Sequence, residues 1–206
     1  MTGLLQDPAI PLVLASTSRT RAALLAAAGL AFATAAPGVD EESVKESARA
    51  EGLTPADAAL LLAELKARRI SERLAAAVVI GADQILVCQG RWFDKPPDRD
   101  AAASQLSALA GRRHELVTAV LAMKGGVVLW RHVATPRLTM RPLSAATIAA
   151  YLDAAGAAAL GSVGAYQAEG LGIRLFASIE GEHAAILGLP LLPLLGFLRQ
   201  HRVLAD

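Results

Sequence analysis

The chain has 206 residues, an apolar fraction of 54% and a formal net charge of +1. This length and apolar content predict a single folded domain over residues 1–206 and exclude a disordered chain. The near balance of 20 basic and 19 acidic residues excludes a general basic surface for nucleic acid or an anionic membrane. The apolar stretch at 187–198 is shorter than the about 20 residues that a membrane span needs. One cysteine excludes a disulfide framework, so we expect a reducing, cytoplasmic location.

The order of local patterns predicts an α/β fold. N-cap residues, helical periods and apolar runs indicate the first elements: strands at 11–15, 30–36 and 76–88 and helices at 19–28 and 55–74. Further along, the same signals predict a helix at 98–109, a hairpin of 116–123 with 127–134, a helix from 144 to 156, a strand at 173–179 and a helix after 190. We therefore expect a mixed sheet flanked by helices.

Two segments of the first half carry side chains suited to phosphate or metal. Residues 16–21 combine hydroxyl groups, a helix start and guanidinium groups, which together can bind phosphate oxygens. An ordinary capped helix explains the same residues, and on spacing alone it is favoured. The acidic run 40–42, interpreted as a loop, is suited to a divalent ion, although acidic loops are usually just solvated. Lys66 alone is equally consistent with a lysine beside an apolar core.

Asp83 is the most specific candidate, because a carboxylate within an apolar strand is costly to bury without a cation or several donors. Lys95 follows twelve residues later in a turn and could reach the same anion, although a surface lysine is the more frequent case. Glu169 lies among glycines that permit close approach of a ligand, and a flexible surface loop is its alternative explanation. Carboxylates and cations together suit metal-assisted phosphate chemistry.

Several other chemistries lack support in the sequence. The four histidines have no spacing typical of a zinc site. No Ser-His-Asp order, phosphate-binding P-loop or dinucleotide glycine motif is present.

The chain resembles the Maf family of nucleoside triphosphate pyrophosphatases from about Leu12 to Leu198. The segments that carry the resemblance occur in the family's order: Leu14-Ala-Ser-Thr-Ser18, Val39-Asp40-Glu41, Lys66, Val79-Ile-Gly-Ala-Asp83-Gln84, Asp94-Lys95-Pro96 and Gly188-Leu-Pro190. The resemblance implies an elongated, two-lobed fold with a mixed twisted sheet, related to the inosine triphosphate pyrophosphatases. It also implies hydrolysis of a nucleoside triphosphate to a monophosphate and pyrophosphate, a Mg²⁺ or Mn²⁺ cofactor, and a homodimer.

Site roles follow from the same resemblance. It implies that Asp83 accepts a proton and that Glu41 and Asp83 hold the metal. The residues implied to bind the phosphates, some of them also catalytic, are Ser16, Ser18, Arg21, Lys66 and Lys95. The first loop departs from the family's usual Ser-Pro-Arg-Arg or Ser-Pro-Trp-Arg, because Arg19 and Thr20 replace the proline and the next residue.

Substrate choice is suggested by Gln84 and Glu169, which resemble the branch that acts on 7-methylguanosine triphosphate. A carboxylate such as Glu169 could accept hydrogen bonds from the N1–H and amino groups of guanine. Two alternatives stay open. One is an enzyme for thymidine and uridine triphosphates, and the other is a nucleotide-sensing protein that inhibits cell division with little turnover.

Overall fold

The computed structural model describes residues 5–205 of the chain. Within them, the strands are β1 (Leu12–Leu14), β2 (Ala33–Thr34), β3 (Val78–Cys88), β4 (Arg91–Phe93), β5 (Arg113–Lys124), β6 (Val127–Ala134), β7 (Arg137–Met140) and β8 (Phe176–Glu180). The helices are α1 (Arg19–Ala27), α2 (Glu41–Ala50), α3 (Pro55–Ser71), α4 (Arg99–Leu109), α5 (Ala145–Ala155), α6 (His183–Ile186) and α7 (Leu191–Gln200). None of these helices combines the length and apolar character that crossing a bilayer requires.

The strands form a mixed sheet with the order β2-β1-β3-β5-β7-β8, in which β4 also pairs with β3 and β6 with β5. Strand β1 is parallel to β2 and β3. The pairs β3–β4, β5–β6, β5–β7 and β7–β8 are antiparallel. The predicted α/β class with a mixed sheet and flanking helices is therefore confirmed.

The chain divides into two compact units. Among the described residues, the first contains residues 5–84, 118–134 and 188–205, and the second contains residues 85–117 and 135–187. Strands β3 and β5 contribute residues to both units because each crosses a boundary between the ranges.

The first unit has helices on both faces of β3. Residues at alternate positions, Val78, Ile80 and Ala82, pack in one apolar cluster with residues of α1 and α7. The intervening positions point to the opposite face, since side chains alternate along a strand. Gly81 lies on that second face, in contact range of α3. By the same alternation, the Asp83 side chain lies on the face of β3 that packs against α3, and the Gln84 side chain lies on the opposite face.

The second unit has its own buried cluster, centred on α4, α5 and the strands around them. His114 and Tyr166 form a buried polar pair within it, with 2.8 Å between His114 Nε2 and the Tyr166 hydroxyl. Residues 156–161, 163–165 and 171–175 form short 3₁₀ turns, which agrees with the irregular backbone that the glycines of this segment predict.

Most predicted elements are present, and the errors concern one ten-residue helix and several short elements. The acidic run at 40–42 is not a loop, because Asp40 caps α2 through the Ser43 N–H and Glu41 begins the helix. Acidic residues in a first turn favour a helix through its dipole. The strand predicted at 30–36 is confined to Ala33–Thr34. The sequence analysis did not predict helix α2, nor strands β4 and β7 and helix α6, which have three to four residues each.

Candidate active site

Lys66 binds two carboxylates at once. Its Nζ lies 2.6 Å from Asp83 Oδ1 and 2.6 Å from Glu41 Oε1. Both Lys66 and Asp83 are 3% exposed, so each charge needs a partner to be stable in the interior. The three side chains, from α2, α3 and β3, are called the acid–lysine cluster below. The structure thus brings together three of the residues that were predicted to form the site.

Close packing of α3 on β3 allows this contact. A Cβ atom on Gly81 would lie 2.2 Å from the Ala63 carbonyl oxygen and 2.9 Å from Ala67 Cβ. Only a residue without a side chain fits there. Lys66 follows Ala63 by three residues on the helix, and Asp83 follows Gly81 by two on the same strand face, so the two side chains meet.

Glu41 is brought to Lys66 by the start of α2. Asp40 accepts the Ser43 N–H at 3.2 Å and fixes the first turn, in which Glu41 lies. Just before this cap, the Gly38 carbonyl accepts a hydrogen bond from the guanidinium of Arg69 on α3. Helix α3 therefore holds the α2 start at two points, through Lys66 and through Arg69.

Arg21 lies at the start of α1, where the family resemblance implies a phosphate site and the residues alone favour an ordinary capped helix. Its Nε donates to the Gly188 carbonyl at 2.7 Å, and its Nη1 donates to Ser16 Oγ at 3.3 Å. Ser18 caps the helix by accepting the Arg21 N–H at 3.3 Å. A helix start with serine hydroxyls and a guanidinium is suited to an anion.

Electrostatics link Arg21 to the acid–lysine cluster. Burial lowers the pKa of the Arg21 guanidinium, whereas the negative charges of Asp83 and Glu41 act in the opposite direction. The side chain keeps its charge at any physiological pH. Two carboxylates and two cations are thus close enough in this unit to influence one another.

One carboxylate oxygen of the cluster has no protein partner. Asp83 Oδ1 is bound by Lys66, but Asp83 Oδ2 is buried and makes no hydrogen bond with any residue of the described chain. A buried anionic oxygen of this kind is costly unless a cation or a donor from a ligand satisfies it. Carboxylate oxygens are the donors that Mg²⁺ and Mn²⁺ prefer, so Asp83 and Glu41 fit such an ion.

No group of three or more His, Cys, Asp or Glu side chains within residues 5–205 is arranged to hold a metal ion. Two carboxylates are sufficient for Mg²⁺, which usually keeps several waters and also binds substrate phosphates.

Three further predicted residues are Gln84 in the first unit and Lys95 and Glu169 in the second. Gln84 donates from Nε2 to Thr118 Oγ1 at 2.8 Å, on the face of β3 opposite Asp83. Lys95 is exposed between β4 and α4, and Glu169 is also exposed. Burial raises the pKa of Tyr151, and the negative charge of Glu169 raises it further. The roles of Lys95 and Glu169 in substrate binding stay predictions.

Sequence analysis missed three structural contributors to the site. Gly81 and Gly188 were noted only within longer motifs, and Arg69 was not selected. A glycine two residues before a buried aspartate is a usable signal, because it indicates close packing against that strand face. A hydrogen bond to a backbone carbonyl, as Arg21 and Arg69 make, leaves no trace in the sequence.

Comparison with known proteins identifies relatives over nearly the whole chain. The family described as Maf-like protein matches residues 11–201. A protein of Granulibacter bethesdensis is 53% identical over 193 residues, covering 94% of this chain and 98% of that protein. One of Rhodospirillum rubrum is 52% identical over 194 residues (94% and 96%), and one of Rhodopseudomonas palustris is 54% identical over 196 residues (95% and 96%). All three are named nucleoside triphosphate pyrophosphatase.

Proposed function

The chain belongs to the Maf-like family, and on that premise we propose that its acid–lysine cluster cleaves nucleoside triphosphates with the help of a divalent metal ion. Membership of this family and the names of the relatives confirm the prediction of a nucleoside triphosphate pyrophosphatase. The observation that carries the mechanism is the buried Asp83 Oδ2, which faces no protein partner in the described chain while Lys66 holds the other oxygen.

The reaction joins one water to one triphosphate. The water oxygen bonds to the α-phosphorus, the bond from that phosphorus to the bridging oxygen breaks, and pyrophosphate leaves with the bond's electron pair. Asp83 accepts the proton that the water loses, through Oδ2. Lys66 fixes the direction of the Asp83 carboxylate through Oδ1, because a buried ammonium at 2.6 Å leaves it little freedom.

Glu41 and Asp83 would hold a Mg²⁺ or Mn²⁺ ion, which supplies positive charge that polarises the phosphates when it is bound. Ser16, Ser18 and Arg21 bind phosphate oxygens at the start of α1, where helix N–H groups favour an anion. Arg21 has guanidinium N–H groups beyond the two that Gly188 and Ser16 use, and it can direct these to the substrate.

The substrates proposed here are purine nucleotides, including 7-methylguanosine triphosphate. The support is the resemblance at Gln84 and Glu169, together with the ability of an exposed carboxylate to accept from guanine donors. A homodimer, which the resemblance also implies, is proposed as well, and light scattering of the purified protein would measure it.

The test is pyrophosphate release from a panel of normal and methylated nucleoside triphosphates, with and without Mg²⁺ or Mn²⁺. Asp83→Asn keeps the side-chain shape but removes the proton acceptor, so we expect a loss of at least about 100-fold in kcat. The matched control is Asp153→Asn, because Asp153 lies on the surface in an exposed ion pair with Arg99.

Each outcome bears on a separate part of the proposal. Metal-dependent release that Asp83→Asn abolishes supports the reaction and the proton acceptor. Faster release from thymidine or uridine triphosphate would overturn the purine assignment alone. Absence of release from every triphosphate would contradict the enzyme and favour the nucleotide-sensing alternative.

A further inference from the structure

The segment before α7 holds Arg21 by its backbone. The Gly188 carbonyl accepts the Arg21 Nε–H at 2.7 Å, across 167 positions of sequence. Its neighbour Leu189 is fully buried, and Leu194, Phe197 and Leu198 of α7 pack in the same apolar cluster as β1 and β3. The position of the carbonyl is therefore set by the core of the first unit, not by a mobile side chain.

Position 188 favours glycine for two reasons. Its φ angle is +96°, in a region that L residues rarely adopt. A Cβ atom built there would also lie 3.2 Å from Arg21 Nε and 3.4 Å from Arg21 Nη2. Any side chain at this position therefore presses on the guanidinium as well as straining the backbone.

The two contacts leave part of the guanidinium available to a ligand. Nε is bound to Gly188 and one Nη1 hydrogen to Ser16, so three of its five N–H groups remain, two of them on Nη2. One N–H group on each of two guanidinium nitrogens can bind a phosphate in a bidentate manner. A guanidinium fixed in advance loses less conformational freedom when an anion binds.

We propose that Gly188 is a positioning residue that orients Arg21 for the phosphates of the substrate. The proposal rests on the proposed function, since it assigns Arg21 to phosphate binding. It gives the Gly188-Leu-Pro190 motif a physical role: the glycine supplies the carbonyl and the space, and the residues that follow fix both in the core.

A double-mutant cycle separates positioning from a merely structural effect. We expect Gly188→Ala to lower kcat/KM at least about tenfold, mainly by raising KM, because Arg21 is displaced. In an Arg21→Gln background the same substitution should change kcat/KM less than about twofold, because the group through which it acts is gone. Equal losses in both backgrounds, or no loss in the wild-type background, would overturn the proposal.

The control is Gly52→Ala. Gly52 also has a positive φ angle, +71°, but a Cβ atom there would meet no atom within 4 Å. It imposes similar backbone strain without touching Arg21, so kcat/KM should stay within about twofold of the wild type even if Tm falls. A loss of activity in Gly52→Ala equal to that in Gly188→Ala would attribute both to strain and overturn the positioning role.

Binding of inorganic tripolyphosphate, measured by calorimetry, makes the test independent of turnover. Weaker binding by Gly188→Ala than by Gly52→Ala supports the proposal even if the wild type hydrolyses nothing, whereas equal binding contradicts it. If Gly188→Ala does not fold, Gly188→Asn carries the test, because asparagine accepts a positive φ angle more readily than alanine but still places a Cβ atom against Arg21. An at least about tenfold loss of tripolyphosphate affinity in Gly188→Asn supports orientation by Gly188, and unchanged affinity overturns it.

Discussion

Lys66 Nζ and Asp83 Oδ1 lie 2.6 Å apart, and each side chain exposes only 4% of its surface. Lys66 also binds Glu41, so one buried ammonium compensates two carboxylates. Replacing Lys66 by methionine would keep the aliphatic volume and leave Asp83 buried without its cation. Breaking a buried ion pair in this way costs about 3 to 5 kcal/mol of unfolding free energy.

Urea unfolding at pH 7 measures that loss for Lys66→Met. Lys124→Met is the control, because Lys124 is exposed at the end of β5. Adding Asp83→Asn to Lys66→Met should restore part of the stability, since a neutral amide then replaces the uncompensated carboxylate. A loss of less than about 1 kcal/mol in the single variant would contradict the buried-pair description.

Gly81 controls the distance between α3 and β3. Gly81→Ala would place a methyl group against the Ala63 backbone, so the helix must shift and carry Lys66 with it. We expect a loss of about 1 to 3 kcal/mol in unfolding free energy, together with lower pyrophosphate release. Gly196→Ala in α7 is the matched control, because a Cβ atom there meets nothing within 4 Å and alanine favours a helix. Equal stability of the two variants would exclude a packing role for Gly81.

Arg69 is expected to hold Glu41 in place through the Gly38 carbonyl. In Arg69→Gln the start of α2 loses one of its two links to α3, so the concentration of Mn²⁺ needed for half-maximal activity should rise about tenfold. Titration of pyrophosphate release with Mn²⁺ measures this. Arg73→Gln, at an exposed position beyond α3, should leave the titration unchanged. A shift of the same size in both variants would mean that it results from the loss of a positive charge and not from the loss of the contact between Arg69 and Gly38.

His114 makes the second unit sensitive to acid. Burial lowers the pKa of His114 to about 4, from an ordinary value of 6.5. Above pH 6.5 both folded and unfolded chains hold a neutral imidazole, so this group adds no pH dependence. Between pH 6.5 and 4 only the unfolded state gains the proton, and stability falls as the pH falls, by about 3 kcal/mol in total.

Unfolding free energy measured across that pH window tests the effect. The carboxylates also titrate near its lower end, so the informative quantity is the difference between the wild type and His114→Asn. The variant should lose less stability on acidification, although it is less stable at neutral pH because it loses the contact with Tyr166. Parallel pH curves for the two proteins would show that His114 does not titrate as expected.

Local signals determined most of the secondary structure. Helices were predicted to begin at residues 19, 55, 98 and 144. Each of the four helices is present, and its N-cap residue, Ser18, Thr54, Asp98 or Ser144, accepts a backbone N–H of the first turn. A capping residue contacts a backbone N–H only two or three positions away, so the local sequence is sufficient to predict the cap. Strand β7 was missed because a segment of four residues is held by its neighbours β5 and β8 and carries little pattern of its own.

The sequence also indicated Glu41, Lys66 and Asp83, but only Asp83 by its chemistry alone, because a carboxylate within an apolar strand is costly to bury; Glu41 and Lys66 gained their roles from the family resemblance. It did not determine that one ammonium lies between the two carboxylates, which depends on how closely α3 packs against β3. Nor did it reveal that backbone carbonyls hold Arg21 and Arg69, since every residue carries a carbonyl and only the fold decides which one faces a guanidinium. The sequence by itself thus determined the chemistry of the side chains, and tertiary packing decided their partners and directions.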